Sequence, residues 1–74
     1  MNVSPKAEEI LESLWIVTEE KGENAAHFDA LQIDQDDEAL AELVGLAYVE
    51  VRGERVHLRR EGRAEARMTV RRHR

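Results

Sequence analysis

Cysteine is absent from this 74-residue chain, so there is no disulfide staple and no thiolate metal site, as fits a reducing compartment. Aromatic residues are nearly absent as well. Trp15, Phe28 and Tyr48 stand alone, too few for a stacking platform along single-stranded nucleic acid. No apolar run approaches the about 20 residues of a membrane span. Residues 1–20 hold five acids and no long apolar stretch, which argues against a signal peptide. Neither His27 nor His57 has a nucleophile or an acid at catalytic spacing, and no glycine-rich phosphate loop occurs, so no enzyme and no small-molecule substrate are expected. At this length one domain is expected, burying only about 60% of its unfolded surface. These absences predict a small soluble cytoplasmic protein with no membrane partner.

Positive charge is also missing, from one half. Residues 1–51 carry Lys6 and Lys21 against thirteen acids, a formal −11. All nine arginines follow, against Glu54, Glu61 and Glu65, a formal +6 for residues 52–74. The total of −5 thus hides a strong dipole. A basic stripe is the electrostatic footprint of a nucleic-acid binder, and an acidic face repels phosphates.

What is present reads as helices followed by a hairpin. Ser4-Pro5 is an N-cap followed by proline at the first helical position. Ala7, Ile10, Leu11, Leu14, Val17 and Thr18 recur at helical spacing, and Lys21-Gly22 supplies a stop, predicting a helix over about 5–21. Asn24 is placed to cap a second helix, about 25–31, facing Phe28 and Leu31 inward. After a tight break at Gln32-Ile33, Asp34 caps a third helix over about 35–44, which buries Leu40, Leu43 and Val44 and stops at Gly45. The period then changes to two. Strands over about 47–51 and 55–58 flank Arg52-Gly53-Glu54-Arg55, with Val49, Val51, Val56 and Leu58 inward. A basic helix over about 60–72 turns Gly62, Ala66 and Val70 inward. The expected class is α+β, a winged helix-turn-helix of three helices, a two-stranded wing and a C-terminal helix. A four-helix bundle would need residues 46–58 to be helical, against their alternation.

Glu8 to Glu12 with Glu19 to Gly22, then Gly45-Leu46-Ala47, and above all Glu61-Gly62-Arg63 through Arg71-Arg72-His73-Arg74, resemble the diphtheria-toxin-repressor and manganese-transport-regulator family of metal-dependent repressors. The likeness covers nearly the whole chain, and the last fourteen residues are its distinctive part. It implies an N-terminal winged helix that binds operator DNA, followed in the family by a helical dimerisation and metal domain. It also implies metal ligands. Glu9 and Glu12 match carboxylates of the first helix and His73 matches a ligand on the last, a set suited to manganese or iron(II).

The chain departs from the family in its third helix, which is shorter and acidic. Asp34, Asp36, Asp37, Glu38 and Glu42 lie where base reading wants Arg, Lys, Asn or Gln, leaving Gln35. Arg52, Arg55, Arg59, Arg60 and Arg63 are placed to grip a phosphate backbone. Two functions follow. One is a DNA-binding transcriptional regulator of the repressor type. The other is a protein-interaction module that keeps the fold and has lost DNA binding.

Overall fold

The computed structural model describes residues 3–73, apart from the His73 side chain. The Ser4 hydroxyl accepts from the Ala7 N–H at 3.2 Å and starts α1 (Pro5–Trp15), as predicted. Its buried face is Ala7, Ile10, Leu11 and Leu14. The helix then widens into a π-helical turn, Ile16–Glu20, in which the Lys21 N–H donates to the Ile16 carbonyl at 3.0 Å. The Thr18 hydroxyl donates to the Leu14 carbonyl at 2.7 Å, a back-bond of the kind that bends helices. Gly22, at φ 75°, ends the element.

The segment predicted as a helix over 25–31 divides in two. Ala26–His27 is a short strand, β1, and only Phe28–Leu31 is helical, forming α2. His27 rather than Asn24 is the cap, because its ring Nδ1 accepts from the Asp29 N–H at 3.1 Å. Its Nε2 lies 3.1 Å from a Glu54 carboxylate oxygen, and the Phe28 N–H donates to the Glu54 carbonyl at 3.1 Å. These contacts bring the chain alongside the hairpin and make a strand of it.

The third helix also begins late. Residues 34–36 form a turn, and α3 is Glu38–Gly45. Its cap is Asp37, whose carboxylate accepts from the Ala39 N–H at 2.9 Å and pairs with Lys6 of α1. Lys6 first, then that backbone N–H, hold the Asp37 carboxyl below its ordinary range. Asp34 offers equivalent local chemistry, and the tertiary pair with Lys6 is what distinguishes Asp37. The stop differs too. Ala47, not Gly45, takes the left-handed conformation at φ 61°, with the Ala47 N–H donating to Val44 and the Tyr48 N–H to Leu43, both at 3.0 Å.

The hairpin joins β2 (Val49–Arg52) to β3 (Arg55–Leu58) through Gly53 at φ 61°. With β1 the sheet is three-stranded and antiparallel, ordered β1-β3-β2, where two strands were expected. The last element, α4 (Arg60–His73), lies antiparallel along α1: Arg63 meets Glu19 at 2.9 Å and Arg72 meets Glu8 at 3.5 Å. Gly62, Ala66, Thr69 and Val70 are its buried line. The Thr69 hydroxyl donates to the Glu65 carbonyl at 3.0 Å, so this buried polar group is satisfied.

Leu11, Leu14, Leu40, Leu43, Val49 and Val56 form the centre of the core. Two residues expected there are not in it. Val44 is 46% exposed on the outer side of α3, and Val51 is 37% exposed on the edge strand beside the turn. Ile33, expected in a break, is buried instead. Among the described residues no helix is long and apolar enough to cross a membrane.

Candidate nucleic-acid interface

Strand alternation decides what the hairpin shows to solvent. Register pairs Val49 with Leu58 and Val51 with Val56 on the core side, and Glu50 with His57 and Arg52 with Arg55 on the other. Arg59 continues the outward series of Arg55 and His57. Arg60, opening α4, lines a shallow concavity with Arg52, His57 and Arg59. Four of the arginines expected to meet phosphate, Arg52, Arg55, Arg59 and Arg60, are therefore gathered at the hairpin and the start of α4.

Two acids, Glu50 and Glu61, line the same concavity. Arg52 grips both carboxylate oxygens of Glu50, at 3.0 and 3.2 Å, and Arg59 approaches at 3.9 Å. Arg52 above all holds the Glu50 carboxyl below its ordinary range. Exposed ion pairs of this kind contribute little, so a phosphate can take the place of the carboxylate. The cluster is a set of donors already oriented around an anionic group.

The remaining predicted residues lie elsewhere. Arg63 turns toward α1, where Glu19 holds it, and lines a second cleft with Trp15, Arg60 and Arg67. Gln35 is exposed in the turn before α3 rather than on the helix, between Asp34 and Asp36. Asp37 and Glu42 are not on the outward face: Asp37 caps α3, and Glu42 accepts the Ser4 N–H at 2.9 Å. What α3 exposes is Glu38, Ala41, Val44 and Gly45, with no side chain suited to reading a base edge. Sequence reasoning stopped at Arg63 and missed Arg67 and Arg71. Both are exposed on α4 with no ion pair among the described residues, and their helical spacing from Arg60 was the available signal.

Of the expected metal ligands, Glu9 and Glu12 line one concavity. Glu9 and Glu12 lie one turn apart on α1, Glu9 exposed and Glu12 half-buried. Lys6 precedes Glu9 by three residues, close enough for the two charges to interact. The His73 imidazole lies outside the described residues. Among those described, no three His, Cys, Asp or Glu side chains converge as a metal site. Glu9 and Glu12 by themselves supply two oxygen ligands, an incomplete set for manganese or iron(II). Titration with manganese, followed by the Glu9 and Glu12 side-chain resonances, is expected to give no saturation in the low micromolar range. Saturation there, lost in His73→Ala, would overturn this expectation.

Comparison with known proteins finds no relative: no family model, no curated protein and no solved structure matches the chain.

Proposed function

We propose that this chain is a winged-helix DNA-binding module of a transcriptional regulator, akin to the metal-dependent repressors it resembles. It holds duplex DNA by its phosphates rather than by its bases. The carrying observation is the outward face of the hairpin, where Arg52 and Arg59 meet the Glu50 carboxylate and Arg55 stands opposite Arg52. Three helices and a hairpin closed by a further helix supply the winged-helix reading. The short strand β1 extends the hairpin into a sheet and ties its turn to α2.

Phosphate contact releases condensed counterions, so affinity falls with salt by about 0.9 in log–log slope for each phosphate neutralised. The three arginines of the hairpin face alone contribute about −3 to that slope, small beside the about −10 of a large dimeric repressor. Low-salt titration of a labelled duplex is expected to show binding that is salt-sensitive and indifferent to sequence. Arg52→Glu with Arg55→Glu should abolish it. Asp36→Asn with Glu38→Gln should strengthen it by removing repulsion, and both positions are exposed. Asp37 is unsuited to that test because it caps α3. Nanomolar binding to one sequence would show that α3 reads bases despite its acids.

A second reading is a protein-interaction module on the same fold. It is favoured by the surface of α3, where Ala41, Val44 and Gly45 are exposed next to Glu38 and no basic side chain stands among them. Failure of the native chain to bind any duplex at low salt would decide for it.

A further inference from the structure

The helical period sorts α4 into two sides. At 3.6 residues per turn, Arg60, Arg67 and Arg71 fall within about 40° of one another, nearly opposite the buried line of Gly62, Ala66, Thr69 and Val70. The acids of the helix, Glu61 and Glu65, fall to one flank, and Glu65 lies 3.8 Å from Arg72 rather than beside the three arginines. Arg60, Arg67 and Arg71 are all exposed, and none has an ion pair among the described residues. Of the arginines described, Arg52, Arg59, Arg63 and Arg72 are paired, so the unpaired charge is concentrated on this side of α4 and at Arg55.

This line of charge is continuous with the hairpin. Arg60 lines the concavity of Arg52 and Arg59, and it also lines the cleft of Trp15, Ala64 and Arg67. From Arg60 to Arg71 the helix rises about 16 Å, and the step from Arg67 to Arg71 is about 6 Å. Ala64, between the arginines, leaves room for a backbone to approach.

We infer that the exposed side of α4 is a second phosphate-binding surface, and that one strand of the duplex runs from the hairpin along α4 through Arg60, Arg67 and Arg71. The partner is a nucleic-acid backbone rather than a folded acidic protein. Protein interfaces take their strength from buried aromatic and apolar anchors in pockets. The middle of this ridge is Ala64; beside it stand exposed Met68 and a partly buried Trp15 that packs against the core, so the ridge offers guanidinium groups rather than an apolar pocket. A regular row of unpaired guanidinium groups is suited to a repeating anion. This inference deepens the DNA-binding reading and rests on it.

The test is anisotropy of a labelled duplex of about 20 base pairs at several salt concentrations, with the native chain, Arg67→Gln/Arg71→Gln and Arg52→Gln/Arg55→Gln. Six phosphate contacts, three from each surface, give the native chain a slope near −5. The ridge variant should lose about two in slope and bind at least about tenfold more weakly at about 50 mM salt. Thermal melting should leave it unchanged, since neither side chain is buried or paired. If the hairpin variant weakens binding and the ridge variant matches the native chain, the ridge is overturned and the DNA-binding reading survives. If the native chain binds no duplex, both fail. Displacement of the duplex by poly-glutamate of matched charge as readily as by unlabelled duplex would also overturn the ridge as a surface shaped for nucleic acid.

Discussion

Gly62→Ala is expected to destabilise the chain by about 2 kcal/mol or more. The added methyl would stand 1.9 Å from the Tyr48 carbonyl oxygen, 2.6 Å from its carbon and 2.9 Å from the Tyr48 Cα. All three are backbone atoms, so no rotamer change relieves the overlap. The same carbonyl accepts the Arg59 N–H at 2.9 Å, which fixes where α4 begins. The helix can admit the methyl only by lifting away, and that opens the packing of Ala66 and Thr69. Overpacking commonly costs about 1–3 kcal/mol and sometimes more, and a backbone clash belongs at the upper end. Helix propensity pulls the other way by about 1 kcal/mol in favour of alanine, which is too little to offset it. Denaturant unfolding followed by circular dichroism decides the sign. A Gly62→Ala protein as stable as the parent would show that α4 does not sit against Tyr48.

Truncation of the core is expected to rival that effect. Leu14 and Leu43 have no solvent-accessible surface, and replacing either with alanine should cost about 2–5 kcal/mol through lost burial and the cavity left behind. The whole stability of a domain this size is about 4–10 kcal/mol. Val44→Ala is the control. That side chain is nearly half exposed, so its loss should cost well under the buried pair, although the sequence places it on the same buried face as Leu43. Urea midpoints of the three variants test the assignment. Equal losses at Leu43 and Val44 would mean that α3 is rotated from the position described.

Local chemistry made much of this fold legible. Ser4-Pro5 announced α1, Gly53 announced the turn, and the alternation of residues 49–51 and 56–58 announced two strands. The elements that stayed hidden are those decided by partners distant in sequence. Nothing in Ala26–His27 carries a strand period, and pairing with Val56 and Arg55 makes it one. Asp34, Asp36 and Asp37 are all acceptable caps, yet the choice falls to the residue that meets Lys6, thirty-one positions earlier. The arginines of the hairpin were legible as a cluster because alternation places them on one face. Those of α4 were less legible because its exposed side is set by the buried line of Gly62, Ala66 and Thr69, which packing against α1 decides.

The lay of α4 along α1 has a consequence for synthesis. Ala7, Leu11 and Leu14 emerge from the ribosome early, but the helix that covers their far side arrives last, with Ala66 and Val70. Until then the nascent chain holds an apolar stripe that nothing nearby in sequence can shield. The first and last helices are joined by contacts spanning most of the chain, and such closure must wait for the slowest loop to form. The domain therefore matures in one late step rather than helix by helix, and its fate before that step rests with whatever shelters α1 during translation.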